Sequence, residues 1–389
     1  MASKITKVII ILALVASLLL ILLSFFFSGY RYVRSQDENY REMNERAEEN
    51  GGNYITEDTA GAKAIFIPRS SDADDIAKLL QEEGFISNPI IFKVMSKFNG
   101  FNDKYQAGTH YLLPGMSYDE IMFTLTRQPK PVKITFLEGE TYTQMRQKML
   151  DNGLNIDVYR LDNMVRYPNQ FLDYDFVRAI EPNENREWLL QGYLWPDTYL
   201  FDPNIDEENI IRMFLDNTEQ KLAAGEYMQK AAQYNMSIDQ VMTLASIIQK
   251  EGNIEEMSKI GRVFLNRVNS QMPLESCATI NYLRVEEGLE PIPWAMAEDL
   301  KKFALNPYNT YAFPDLPPGP INSPGTLAVE GILWPANEDS WPGASQFLYF
   351  CSTGEGNNAF ASTLAEHEAN IAHYSSQWLA GEAGAEGEE

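Results

Sequence analysis

The chain has 389 residues, enough for two or three domains with a substantial core. Its 44% hydrophobic and 12% aromatic content excludes general disorder. A formal net charge of −24 argues against binding nucleic acid, or an anionic lipid surface, over a broad patch.

Val8 to Phe27 is a run of twenty residues without a charge, broken only by Ser17 and Ser24, and is long enough to span a bilayer. A cleaved signal peptide is the rival reading, but the run is long for one and no small-x-small site follows it cleanly. Lys4 and Lys7 precede the run and Arg31 and Arg34 follow it, so flanking charge orients it only weakly. A short tail before it and a large domain after it favour an anchor at 8–28 with the C-terminal bulk outside. The polar stretch 29–62, with GGNY and TAGA, reads as a solvated tether.

Regular patterning begins beyond it. Ala64–Ile67 reads as a strand, Asp72–Glu83 and Pro89–Phe98 as helices, and Thr109–Leu113 as a second strand. Ser117 and Glu120 form a capping box for a helix on Ile121, Met122 and Leu125. Strand, helix, helix, strand, helix over 63–130 suits a small α+β module. PVKITFLEGETYTQMRQKML then repeats strand, turn, helix, a weak echo of YLLPGMSYDEIM. Residues 151–235 read as mostly helical with loops.

Ser237–Gly252 is an amphipathic helix with Val241, Leu244, Ala245 and Ile248 as its stripe, a Ser237/Gln240 capping box, and Gly252 as the stop. At about 100° per residue, Glu251 falls within roughly 60° of the stripe's centre, while Gln249 and Lys250 fall well outside it. An inward carboxylate in the last turn should have a raised pKa, which suits a general acid. An ordinary exposed glutamate at a frayed helix end is the competing reading. Asn253 and Glu256 cap a second helix with a stripe of Met257, Ile260, Gly261, Phe264, Leu265 and Val268. Glu255 and Glu256 are explained there by the helix dipole. From Pro307 onward PYNTYAFPDLPPGPINSPG predicts rigid irregular loops, and the acidic tail 376–389 a disordered end.

Other chemistries fare poorly. His367 and His373 are six apart and leave one helical face, and three histidines in all make a zinc site improbable. No G-x-S-x-G elbow and no phosphate-cradling glycine loop occurs, and no cofactor is expected. Cys277 and Cys351 read as buried structural thiols, though pairing in an oxidising compartment stays open. What remains is carboxylate chemistry beside aromatic, amide and hydroxyl residues, which suits neutral sugars. Glycoside cleavage usually takes two carboxylates. Glu275 and Asp315 are the remaining candidates for a second acid, without a supporting pattern. A single acid suffices if the substrate supplies its own nucleophile.

LASIIQKEG, VFLNRV, TINY at Thr279–Tyr282, YNTY at Tyr308–Tyr311, LPPGPINSPG and F-x-x-T-x-x-E-H from Phe360 to His367 occur in this order. AGTHYLLPGMS and YLWPDTY lie upstream. Together these motifs, spread over roughly residues 60–375, resemble the bacterial endolytic murein transglycosylases, the YceG-like family of membrane-anchored enzymes that cut peptidoglycan. The resemblance implies an α+β protein: an N-terminal transmembrane helix, a LysM-like module at 63–130, and a larger mixed α/β catalytic domain at 131–375. It implies non-hydrolytic cleavage between N-acetylmuramic acid and N-acetylglucosamine, leaving a 1,6-anhydro end. The family's catalytic glutamate, second acid of an E-K-E motif, falls on Glu251, with Gln249 in place of the first acid. Asn266, Thr279, Tyr282, Tyr308, Asn309 and Tyr311 are expected substrate contacts, Asn266 because it lies opposite its own stripe and so faces a cleft or solvent.

Two departures stand out. Glu275-Ser276-Cys277-Ala278-Thr279 replaces Q-S/T-D-P-T, and Asn358 stands where histidine is frequent. The resemblance further implies peptidoglycan strands as partner, cell-wall synthases (penicillin-binding proteins) as associates, and a catalytic domain on the extracytoplasmic side of the inner membrane. A catalytically silent peptidoglycan-binding scaffold and an ordinary hydrolytic glycosidase are the competing readings.

Overall fold

A computed structural model describes residues 14–15, 17–21, 23–24, 39–49, 52–68, 70–354 and 356–385, with side chains as far as 375. The expected membrane span at 8–28 lies largely outside the described residues. Among the described residues no helix is long and apolar enough to cross a membrane.

The chain forms a mixed α+β structure of two compact units, one ending at Pro131 and including Asp202–Asn204, the other holding Val132–Phe201 and Ile205 onward. In the first unit β1 (Lys63–Ile67) pairs antiparallel with β2 (Gly108–Leu112), Ile65 opposite His110. Between them run α2 (Ala73–Glu82) and α3 (Pro89–Phe98), and α4 (Tyr118–Leu125) follows. Each helix starts where a short polar side chain takes orphan backbone N–H groups: Asp72, Asn88 and Ser117. Ile65, Ile76, Leu80, Phe92, Leu112 and Ile121 close the core.

The expected tether is not wholly solvated. Residues 39–49 form α1, which buries Met43 and Ala47 against Phe123 of α4. Tyr40, Met43 and Ala47 recur at helical spacing, a stripe too sparse to stand out among so many charges.

In the second unit β3 (Val132–Thr135) pairs with β4 (Thr198–Phe201), and α5 (Tyr142–Asp151) carries a Thr141/Gln144 capping box. The sequence echo is therefore a real local likeness, strand, turn and boxed helix, although β2 pairs backward along the chain and β3 forward. Three later helices make the scaffold of the site: α6 (Ile238–Glu251), α7 (Met257–Asn269) and α8 (Thr326–Leu333). They approach closely because Gly261 and Gly331 have no side chain. A Cβ on Gly261 would lie 2.2 Å from the Gly331 carbonyl oxygen.

Arg186 locks the start of α6. Its guanidinium, almost wholly buried, donates to both oxygens of Asp239 at 2.9 and 3.0 Å and to the Leu189 carbonyl at 2.7 Å. Tyr193 of the YLWPDTY segment donates to the same aspartate at 2.8 Å.

The proline-rich segment before α8 lies along α6. The Ser246 hydroxyl accepts from Ile321 N–H at 2.9 Å, Asn322 Nδ2 donates to the Ser246 carbonyl at 2.7 Å, and Gln249 Oε1 accepts from Gly325 N–H at 2.9 Å. Gln249, off the stripe as its phase predicts, is thus a working contact rather than an idle surface residue.

Gly252 stops α6 as expected, in an extended conformation, and its need is space: a Cβ there would sit 2.2 Å from Ile260 Cδ1. The C-terminal segment from Leu364 is helical to Ala385, into the stretch expected to be a disordered tail. Alanine and glutamate sustain a helix between its glycines.

Candidate active site

Glu251 sits in the last turn of α6 and meets the start of another helix, α9 (Cys277–Glu286). Its Oε1 accepts a short hydrogen bond from the Ser276 hydroxyl and a longer one, 3.4 Å, from the Ala278 N–H. Ser276 is the N-cap residue of α9, yet its hydroxyl makes no cap bond, because it serves Glu251 instead. The carboxylate therefore lies where a helix C-terminus, unfavourable to negative charge, faces a helix N-terminus that favours it. Burial pushes Glu251 above the ordinary carboxylate range, against the Ser276 and Ala278 hydrogen bonds and the nearby Arg267, which pull it down.

The carboxylate opens on a cleft of about 780 Å³. Ser276, Cys277, Trp294, Tyr311, Phe264, Phe350, Cys351 and His367 line it with Glu251. Arg267 builds one wall. It donates to the Leu348 carbonyl at 2.6 Å and to those of Pro273 and Leu274 at 2.9 Å, and pairs with Glu275 at 3.0 Å. Its guanidinium lies 5.0 Å over the Tyr349 ring, on which His367 also stacks. Burial and Arg267 lower the His367 pKa, so the ring is neutral at neutral pH.

A profile of the YceG-like family matches residues 65–373, most of the chain. The chain belongs to the YceG-like family. It is 29% identical over 323 residues to the endolytic murein transglycosylase of Bacillus subtilis, covering 80% of this chain and 85% of that one. The enzyme of the same name from Streptococcus pneumoniae strain D39 is 25% identical over 331 residues, a match spanning 58% of the longer pneumococcal chain. A crystal structure of a YceG-like protein from Listeria monocytogenes superposes with a TM-score of 0.52 at 27% identity, over 79% of this chain and 98% of that one.

Within this family frame, the motif residues divide into those that face the cleft and those that brace it. Glu251 and Tyr311 line it together. Thr279, Tyr282, Tyr308 and Asn309 are buried and lie outside the lining. The Thr279 and Thr310 hydroxyls meet at 2.9 Å, and Thr310 also accepts from Ser276 N–H, fixing the start of α9. Tyr282 packs on Tyr308, ring centroids 5.0 Å apart. Asn309 accepts from Tyr311 N–H at 3.0 Å and donates to the Phe303 carbonyl at 3.2 Å, shaping the turn that places Tyr311 in the cleft.

Asn266 faces neither cleft nor solvent. It is buried, and its Nδ2 donates to the carbonyls of Ala344 and Phe347 at 2.8 and 2.9 Å. Helix phase located the face correctly, but a loop from 78 residues onward covers it. Asn266→Ala should leave two buried carbonyls unpaired and cost about 1–3 kcal/mol in urea unfolding. Its kcat/KM at low temperature should stay near that of the wild type, which a substrate contact would not allow.

Glu256 is likewise more than a dipole partner. It is buried, and Oε2 accepts from the backbone and side-chain amides of Asn358, both at 2.9 Å. Asp315 is exposed and away from the cleft, and Glu275 is held by Arg267, so neither stands free as a second acid. Cys277 and Cys351 are unpaired, half-buried and both on the cleft wall, not deep in the core. Burial, Glu251 and Asp299 push the Cys277 thiol up to about 11, so it stays protonated.

Two lining residues, Arg267 and Ser276, carry a signal in the sequence itself. Arg267 falls on the flank of its helix's apolar stripe, a phase at which a charge must find partners. Ser276 precedes a helix, where its hydroxyl is free to cap or to serve something else.

Proposed function

We propose that this chain is an endolytic peptidoglycan transglycosylase in which Glu251 acts first as general acid and then as general base. The observation that carries the reading is a half-buried carboxylate in an aromatic-lined cleft, with a raised pKa and one oxygen tied down. The names of the bacillary and pneumococcal relatives support the substrate.

The hydrogen bonds support one placement of the proton. Oε1 accepts from two donors, so in the neutral acid it is the carbonyl oxygen and Oε2 carries the hydrogen. Oε2 protonates the oxygen between N-acetylmuramic acid and N-acetylglucosamine as that bond breaks. The resulting carboxylate takes the proton from the C6 hydroxyl of the muramic residue, whose oxygen closes on C1. The product is a 1,6-anhydro end, and Glu251 returns to its acid form. Intramolecular attack gains from proximity, so neither a positioned water nor a second carboxylate is needed. Tyr311 contacts the sugar from the cleft wall.

The remaining architecture completes the proposal: an anchor at 8–28, a LysM-like module at 63–130, and a catalytic domain at 131–375 on the extracytoplasmic side of the membrane, near the cell-wall synthases. The apolar run Val8–Phe27 supports the anchor. Mass spectrometry of purified sacculi digested with the full-length protein tests the reaction. Anhydro ends are expected; reducing ends, heavier by one water, would establish hydrolysis, and unchanged sacculi a binding scaffold.

Ser276→Ala tests the proton assignment. The hydroxyl donates to the ionised form and holds the Glu251 pKa down, so its loss raises that pKa further. The alkaline limb of the pH–rate profile should move up by about one unit, given that a hydrogen bond to a charged group is worth about 1.5–3 kcal/mol. A limb that stays put would assign the proton elsewhere.

A further inference from the structure

Helix α3 is apolar on two faces. Phe92 and Ser96 point into the core of the first unit, whereas Ile90, Val94 and Phe98 are 70%, 61% and 90% exposed and Ile91 is exposed beside them. At about 100° per residue, these four outward side chains fall within an arc of about 100°. A soluble helix normally keeps that arc polar, and a contiguous exposed apolar patch marks a contact surface. Lys97 is exposed at the edge of the arc, and Lys93 beside it pairs with Asp74.

The chain's path says what lies opposite. Among the described residues, the first aromatic contact after the predicted membrane span is that of Tyr40, whose ring packs 5.7 Å from that of Phe101. Its hydroxyl donates to Asp119 Oδ1, the same oxygen that Asn99 holds at 2.7 Å. The chain therefore joins this unit beside the C-terminal end of α3, next to Phe98. Only the eleven residues 28–38 separate Phe27 from α1, a reach of at most about 36–40 Å when fully extended. The start of α1 therefore lies within that reach of the surface from which the proposed anchor emerges.

We infer that the outer face of α3, Ile90, Ile91, Val94 and Phe98, seats in the lipid bilayer interface and fixes the first unit against the membrane. The inference rests on the anchor reading above. The seating is apolar, with the Lys97 ammonium left at the headgroup level. It does not need anionic lipid, which agrees with a chain whose net charge is −24.

A nitroxide on Phe98→Cys reports the contact, in the full chain with Cys277→Ser and Cys351→Ser, reconstituted in phosphatidylcholine vesicles. A label on Gln81→Cys, exposed on α2, is the reference. The ratio of collision with oxygen, which concentrates in lipid, to collision with a water-soluble nickel chelate should be several-fold higher at 98 than at 81. Equal ratios, in protein that resists alkaline extraction from the vesicles, overturn the seating while leaving the anchor intact. Release by alkali overturns the anchor, and the seating with it. Protection of 98 from both reagents that disappears on dilution in excess vesicles would assign the face to a second copy of the chain and also overturn the seating.

Discussion

Glu251→Gln should lower release of anhydro-muropeptides from purified sacculi by about 10³-fold or more, because the proposed mechanism rests the general acid and general base roles, each worth about 10²–10⁴, on one residue. The amide keeps the size of the carboxyl and still accepts from Ser276 and Ala278, but it neither gives nor takes the proton. The same substitution should stabilise the fold. The folded pKa of Glu251 is raised by burial, so the neutral form is the one the fold prefers. Its favourable contribution is complete below the ordinary glutamate pKa and is lost as pH rises through the folded value. Glutamine does not titrate. The melting temperature of the variant should therefore match the wild type in acid and exceed it increasingly as pH rises through that window. Activity falling while Tm rises is the signature of a catalytic acid. A drop in both would mark Glu251 as a structural residue.

Arg186→Ala should be the most damaging of these substitutions for stability, at about 3–5 kcal/mol. It leaves Asp239 without its buried partner and takes a donor from the Leu189 carbonyl. The damage falls on the first turn of the helix that ends in Glu251. Arg178→Ala, which breaks an exposed pair with Asp175, should change stability by less than about 0.5 kcal/mol. Urea midpoints of the two variants measure the contrast. Equal losses would show that the Arg186 pair contributes no more than a surface pair.

The elements of the first unit were legible because each carries its own start signal: Asp72, Asn88 and Ser117 announce helices within four residues of the apolar pattern they serve. Helix α6 was legible for the same reason, and its phase alone turned Glu251 inward. What surrounds Glu251 was not legible. Ser276 and Ala278 arrive from about 25 residues on, through a turn whose position depends on Thr310. Period and capping are local quantities and say nothing of which distant backbone covers a face. Asn266 was misread on that account: it lies on the side of its helix opposite the apolar stripe, and segments 78 and 81 residues on bury it. Glu256 is structural as expected, but its partner Asn358, 102 residues on, was not legible. The proline-rich segment 307–325 was foreseen as rigid loops. Its function as a brace laid along α6 required knowing where it docks.

On the proposed mechanism, the meeting of two helix ends at Glu251 would make the acid responsive to its substrate. The C-terminus of α6 and the N-terminus of α9 bring opposed fields to the carboxylate, so burial is the largest influence on its proton, ahead of Ser276, Ala278 and Arg267. Water in an open cleft steadies an ionised carboxylate. A glycan strand lying there would displace that water and deepen the preference for the neutral acid. On the proposed mechanism, arrival of the polymer would arm the acid and departure of the product would discharge it.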